Sequence, residues 1–209
     1  MSKGRPPTHC RESLLIKGIE LFNSKGYHAT GLSTILQTCQ ISKGSFYNFF
    51  NSKEEYAVEV IEYYQALETD RWALEFAKLE GSHFMRMRQM LEKMLSEYDP
   101  STEKMGCLIA NLSGEVGNES PGFRRAIQEA TERVIVLISE DMRVCQEEGS
   151  VRLDLSPDAL AHLIWDIWQG ALLRMKVNAS LQPLNQCIDL LWNHILPSPF
   201  SHSDTQQGA

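Results

Sequence analysis

Residues 30–55, Thr-Gly-Leu-Ser-Thr-Ile-Leu-Gln-Thr-Cys-Gln-Ile-Ser-Lys-Gly-Ser-Phe-Tyr-Asn-Phe-Phe-Asn-Ser-Lys-Glu-Glu, read as two short helices joined by a tight turn and followed by the start of a third. Thr30 is placed to cap the first helix, whose inner face is Leu32, Ile35 and Leu36. Ser42 caps the second, with Ile41 and Phe46 set as a hydrophobic staple across its start. Phe46, Phe49 and Phe50 fall on its buried side, which leaves Lys43, Gly44, Ser45, Tyr47 and Asn48 facing out. Each of these suits a nucleic-acid groove: small residues admit a backbone, hydroxyls and an amide reach phosphates or base edges, and lysine supplies charge. Ser52-Lys53-Glu54-Glu55 reads as a capping box that opens the third helix and sets the Lys53 ammonium where a phosphate can sit. Two helices at this spacing have the geometry of a DNA-reading helix-turn-helix.

The stretch resembles the TetR family of bacterial repressors, whose signature runs helix, turn, Ser-Lys-Gly-small-aromatic-Tyr, two residues, Phe, then Ser-Lys-Glu. Ser42, Lys43, Gly44, Ser45, Phe46, Tyr47, Phe50, Ser52, Lys53 and Glu54 match it in register. With Thr30, Asn48 and Arg5 of the N-terminal arm, the outward residues of this set are the candidate contacts to double-stranded operator DNA. Arg5 has two readings, an arginine laid in the adjacent minor groove or part of a solvated tail. Gln40 stands where the family's turn usually carries glycine, and a side chain in a left-handed turn costs roughly 1 to 2 kcal/mol. The competing reading of the whole stretch is a generic helical hairpin with a Phe-rich core.

Charge divides sharply along the chain. Residues 1–53 hold seven basic and two acidic residues, a net of +5, whereas the remainder holds 13 basic and 25 acidic residues, a net of −12. A cationic head can face phosphates while an anionic body limits non-specific adsorption.

No apolar run approaches the roughly 20 residues that span a bilayer, and the N-terminus lacks a signal peptide's apolar segment, so a cytoplasmic protein with no membrane partner is expected. Cys10, Cys39, Cys107, Cys145 and Cys187 are odd in number and scattered, which fits reduced thiols. Neither they nor the six histidines have metal-ligand spacing, and no cofactor site or nucleophile–base pair can be assembled. An all-α regulator without enzymatic activity is expected.

Apolar residues recur at three and four positions nearly throughout. The spacing predicts a first helix from about Thr8 to Ser24 burying Leu15, Ile19 and Phe22, and a long helix from Ser52 carrying Tyr56, Val60, Tyr63, Tyr64 and Leu67. Further helices are predicted over 82–98, 106–116, 120–148, 157–177 and 183–196, about nine in all, with Ser120-Pro121 and Ser156-Pro157 as cap-then-proline starts. The expected organisation is a DNA-binding domain over 1–53, an effector-sensing and dimerisation domain over 54–197, and a disordered tail over 198–209. The last two helices carry broad apolar stripes that include Ile164, Trp168, Leu172, Leu184, Ile188, Leu191 and Ile195. By themselves they fit the closing helices of a monomeric core. The family resemblance implies instead a four-helix interface with a second copy, hence a homodimer on a palindrome.

Residues 104–116, Lys-Met-Gly-Cys-Leu-Ile-Ala-Asn-Leu-Ser-Gly-Glu-Val, look like the Gly-Cys-Leu, four residues, small, x-Glu-Val run of the TetR branch that includes the N-ethylmaleimide-responsive and acrylate-responsive repressors. A small-molecule or electrophilic effector is what this likeness implies, the alternatives being a reversible ligand with a structural Cys107 or a DNA-bound scaffold with a protein partner. Cys107 is expected in the first turn of a helix, where unpaired amides and the macrodipole favour thiolate, with Lys104 near in sequence. Lys176 is either a further cationic neighbour of that thiol or a charge complementing a helix C-terminus. Cys107 itself reads equally as a sensor or as a small core residue. Tyr98, His162, Trp165, Trp168, Met85, Met87, Met90 and Met94 either line an effector cavity or form plain core.

Overall fold

The computed structural model describes residues 10–98 and 106–198. Arg5 with the basic arm, Lys104, and the tail beyond Ser198 lie outside them. Apart from a single antiparallel bridge between Val151 and Pro197, the regular structure described is helical. The elements are α1 (Arg11–Lys25), α2 (Leu32–Cys39), α3 (Lys43–Tyr47), α4 (Lys53–Phe76), α5 (His83–Glu97), α6 (Leu108–Val116), α7 (Pro121–Glu147), α8 (Pro157–Asn178) and α9 (Gln182–Leu190), the last continued by a π-helical turn over Leu191–Ile195.

Serine caps set many of the starts. Ser42 Oγ accepts from Ser45 N at 3.1 Å, Ser82 Oγ from Met85 N at 3.3 Å, Ser120 Oγ from Phe123 N at 3.2 Å and Ser156 Oγ from Ala159 N at 3.2 Å. Each satisfies one amide that the helix cannot pair itself, and proline follows the last two where its missing N–H costs nothing. Three expectations are corrected. Helix α1 begins at Arg11, because Cys10 is extended. Thr30 does not cap α2; its hydroxyl donates to Gly26 O at 2.6 Å and Gly31 precedes the helix instead. The last predicted helix is not uniform, since Leu196 N reaches back five residues to Leu191 O at 2.9 Å, the bonding of a π turn.

The chain divides into two compact units, one within Met1–Glu68 and Gly106–Ala130, the other within Thr69–Met105 and Thr131–Ala209. The unit that holds the helix-turn-helix thus reaches past residue 53 and includes α6 and the beginning of α7. Its core centres on Tyr56, fully buried among Phe22, Phe46 and Phe50 with ring centroids 5.8, 5.5 and 4.8 Å away. The Tyr56 hydroxyl donates to Leu14 O at 2.7 Å, so the buried phenol is satisfied. Glycine at position 18 is what lets α1 approach this ring, since a Cβ there would lie 2.4 Å from Val60 Cγ2 and 2.6 Å from Tyr56 Oη. Leu67, expected on the inner face of α4, is exposed, and Gln65 is buried in that stretch instead.

In the second unit Met87, Met90, Met142, Cys145, Leu160 and Met175 are buried. His83 Nε2 lies 2.7 Å from Asp141 Oδ1, tying α5 to α7, and Trp192 Nε1 donates to Phe84 O at 3.0 Å. The apolar stripes of α8 and α9 belong to this core. Ile164, Trp168, Leu172, Leu184, Ile188 and Leu191 are all buried within the chain itself, and Ile195 is half-buried. Apart from Ile195, little of their surface remains outside the chain's own packing. Among the described residues no helix is long and apolar enough to cross a membrane.

Candidate nucleic-acid interface and sensor segment

Helix α3 is short, and its orientation is fixed from below. Phe46 and Phe50 are buried in the aromatic cluster and Phe49 packs against it, while Lys43, Gly44, Tyr47 and Asn48 are exposed and Ser45 is half-exposed. Tyr47 is held outward by edge packing on Phe46 at 5.5 Å, and the Lys43 ammonium lies 6.0 Å from its ring centroid. At Gly44 an added Cβ would meet only Ser42 Oγ at 3.9 Å, so the glycine is there to keep the outer surface low, not because the fold has no room. Ser42 and Ser45 pair their hydroxyls at 2.9 Å. This face combines a cation, hydroxyls, an amide and an aromatic on one rigid turn of helix.

Two members of the expected contact set are placed differently. Thr30 is fully buried, with its hydroxyl committed to Gly26, so it offers nothing to a groove. Lys53 turns inward: its ammonium donates to Tyr27 O at 2.7 Å and sits 3.8 Å from the Tyr27 ring centroid. Burial lowers its pKa from the ordinary lysine value, with Glu115 and Glu119 working against that shift. The cation is half-buried and engaged, which makes it a brace for the turn after α1. The capping box at α4 is also shifted by one residue: Ser52 Oγ accepts from Glu55 N at 3.0 Å, but the Glu55 carboxylate takes the Asn51 amides.

The same turn is gripped from α6. Gly26 at φ +77° opens the backbone so that Tyr27 N and His28 N both donate to the Glu115 carboxylate, at 2.8 and 2.6 Å. A side chain at position 26 would strike that carboxylate, at 2.6 Å from Oε2. His28 Nε2 lies 2.7 Å from Glu119 Oε1, and Ser120 Oγ donates to Glu54. Across the unit, Arg11 forks onto both oxygens of Glu59, donates to Phe49 O at 2.9 Å and stacks 4.8 Å from the Phe50 ring centroid.

Gln40 does occupy the left-handed region, at φ 55° and ψ 40°, with Ile41 N bonded to Leu36 O at 3.0 Å behind it. Ala179 ends α8 in the same way at φ 46°. Glycine at either position should stabilise the fold by about 0.5 to 1 kcal/mol, the relief of left-handed strain less the added freedom of the unfolded chain. In a thermal melt Gln40→Gly is expected to rise by about 1 to 3 °C. A lower melting temperature would mean that the Gln40 side chain makes a compensating interaction.

Cys107 is the N-cap of α6 and not within its first turn as expected, because the helix starts at Leu108 instead of 106; it is half-buried and packed against the core of the first unit. Its side chain makes no cap hydrogen bond at the start of α6. Lys176 lies in the last turn of α8, in the second unit. The other thiols separate clearly. Burial pushes Cys145 up to about 12 and Cys187 up to about 11, and raises Cys39, whereas exposed Cys10 is lowered by hydrogen bonds with Ser13. Of the candidate cavity residues, Met87, Met90 and Trp168 are buried and Tyr98, Trp165 and Met94 half-buried, while Met85 and His162 are exposed and line no interior.

Arg11, Tyr27, Glu59 and the role of Glu115 are not legible in the sequence. Glu115 stands in the quoted run 104–116, but its pairing with the Tyr27 amide spans 88 residues and no local pattern announces it.

The chain matches the family model for bacterial regulatory proteins, tetR family, over residues 14–60, and that for the tetracyclin repressor-like C-terminal domain over residues 84–191. It is 32% identical over 191 residues to the HTH-type transcriptional repressor DhaR of Mycobacterium sp. (strain GP1), covering 91% of this chain and 94% of that protein. It is 30% identical to the transcriptional regulator AcuR of Cereibacter sphaeroides, covering 93% and 91% of the two chains. Its fold superposes on the crystal structure of reduced Escherichia coli NemR with a TM-score of 0.81 at 30% identity, covering 91% of this chain and 98% of that one.

Proposed function

We propose that this chain, which belongs to the TetR family of bacterial regulatory proteins, is a transcriptional repressor that occupies a palindromic operator as a homodimer and leaves it when its helical body meets a small effector. The observation that carries the reading is the exposed face of α3, Lys43, Gly44, Ser45, Tyr47 and Asn48, fixed from below by Phe46 and Phe50. Side chains of these types reach phosphates and base edges once the helix enters a major groove. The relatives named repressors support the direction of control. Selection of bound duplexes from a random pool tests this: an inverted repeat with half-sites about 34 Å apart is expected, and a pool that yields no repeat would contradict it.

Dimerisation is assigned to the outward face of α8 and α9. Leu173 (56%), Val177 (86%) and Leu190 (51%) are exposed apolar residues there, and Gly170, with open space at its Cβ position, lets a partner helix come close. Leu173→Asp with Val177→Asp is expected to give folded monomers by analytical ultracentrifugation, with weakened operator binding. Ile188→Asp, buried in the chain's own core, should instead unfold the second unit. Monomers from the second variant and dimers from the first would reverse the assignment.

The switch is read as covalent modification of Cys107. Its helix places thiol and Glu115 carboxylate at opposite ends of α6, and Glu115 holds the turn that leads into α2. A bulky adduct in a packed site costs about 1 to 3 kcal/mol, and 2.8 kcal/mol is a hundredfold in affinity. That the structure of Escherichia coli NemR is of a reduced form supports a regulator of this kind with more than one redox state. A reversible ligand is the second reading, favoured by Gln169, whose side-chain amide is buried with neither atom hydrogen-bonded within the protein.

A further inference from the structure

We infer that Arg11 is a positioning residue for DNA reading, an internal clamp on the end of α3, and not one of the phosphate contacts that its place in the basic head suggests. The inference rests on the reading of α3 as the element that enters the groove. One guanidinium joins three pieces of the first unit. Nε and Nη2 donate to the two carboxylate oxygens of Glu59 on α4, Nη1 donates to the Phe49 carbonyl just past α3, and the plane stacks over the Phe50 ring at 4.8 Å. The Phe49 carbonyl belongs to the turn between α3 and α4, so its bond fixes where α3 ends relative to α4, while the stem of Arg11 starts α1.

This arrangement needs arginine. Only a planar fork can meet both carboxylate oxygens, keep a third donor for a carbonyl and lie flat on a ring, whereas lysine offers a point charge that serves one of these at a time. The fork is also mostly engaged. Its charge is paired with Glu59, whose side chain is 22% exposed, and a phosphate that approached the 46% exposed arginine would meet a guanidinium already neutralised, with three of its five N–H groups spent on Glu59 and Phe49. A clamp of this kind acts on the tilt of α3, so it should matter most for base contacts, which require placement, and least for non-specific binding, which requires only charge.

The test is fluorescence anisotropy on the full-length dimer with the selected operator and a scrambled duplex, over a salt series, for wild type, Arg11→Met, Glu59→Gln and the double variant. Arg11→Met is expected to reduce the operator-to-scrambled affinity ratio about tenfold and to leave the salt slope unchanged. Glu59→Gln should produce a similar loss, and the double variant should lose no more than either alone, because both break one clamp. Measuring well below each variant's melting temperature separates positioning from instability, and Glu59→Gln serves if Arg11→Met folds poorly. A salt slope shallower by about 1 to 2 per dimer, with Glu59→Gln binding more tightly, would make Arg11 a phosphate contact and overturn the inference. Variants that bind like wild type would overturn it as well. If wild type itself fails to prefer any duplex, it is the reading of α3 that falls.

Discussion

Cys107→Ser is expected to stay on its operator through a dose of N-ethylmaleimide that strips the wild-type dimer from it. Before treatment the two proteins should bind alike, since serine at an N-cap keeps a small polar group there and is itself a favoured cap. After treatment the wild type should lose at least a hundredfold in affinity. The controls have unequal weight. Serine at Cys39, Cys145 or Cys187 should change nothing, because burial raises all three thiols and removes them from the reagent. Cys10 is the informative one. It is exposed and its thiol is lowered by Ser13, so it should be alkylated readily, yet it lies before α1 and outside the buried core. Peptide mapping should therefore find adducts at both Cys10 and Cys107, while release follows Cys107 alone. If Cys107→Ser is released like wild type, the covalent switch is wrong and the reversible ligand read from Gln169 takes its place.

Replacing Tyr47 and Lys43 together with alanine should cost more than a hundredfold in operator affinity without touching the fold. Both side chains lie outside the core, Tyr47 at 44% exposure and Lys43 exposed, so the melting temperature should move by no more than about 2 °C. Removing Lys43 from both subunits should also make the salt slope shallower by about 2, one phosphate each. Lys53→Ala is expected to behave differently. Its ammonium braces Tyr27 O, so the loss should appear as a lower melting temperature with the salt slope nearly intact. A change in slope without a change in stability would return Lys53 to the phosphate contacts.

The contrast between these two lysines shows what a sequence can and cannot carry. Ser42, Ile41, Phe46 and Gln40 behave as read, because caps, staples and left-handed turns are set by residues within five positions of one another. The helix starts at Ser82, Ser120 and Ser156 are legible for the same reason. Thr30, Lys53 and Arg11 were open to misreading because the partner that claims each polar group is chosen by tertiary structure. Gly26 takes the first, Tyr27 the second, and Glu59 with Phe49 the third. The apolar stripes of α8 and α9 were visible, but periodicity gives only that a face is buried and not what buries it. Here the chain covers Ile164, Leu184 and Ile188 itself, and the few residues left outside, Leu173, Val177 and Leu190, are too sparse to stand out as a pattern.

The most direct test of a palindrome-reading dimer is a salt titration of the wild-type protein on its selected operator, beside the same duplex with one half-site scrambled. With on the order of 6 phosphate contacts per dimer, log K against log salt should fall with a slope near −5, and the half-scrambled duplex should bind at least a hundredfold more weakly. Equal affinity for the two duplexes, or binding that does not respond to salt, would contradict the assignment of α3 as a DNA-reading helix in a dimer.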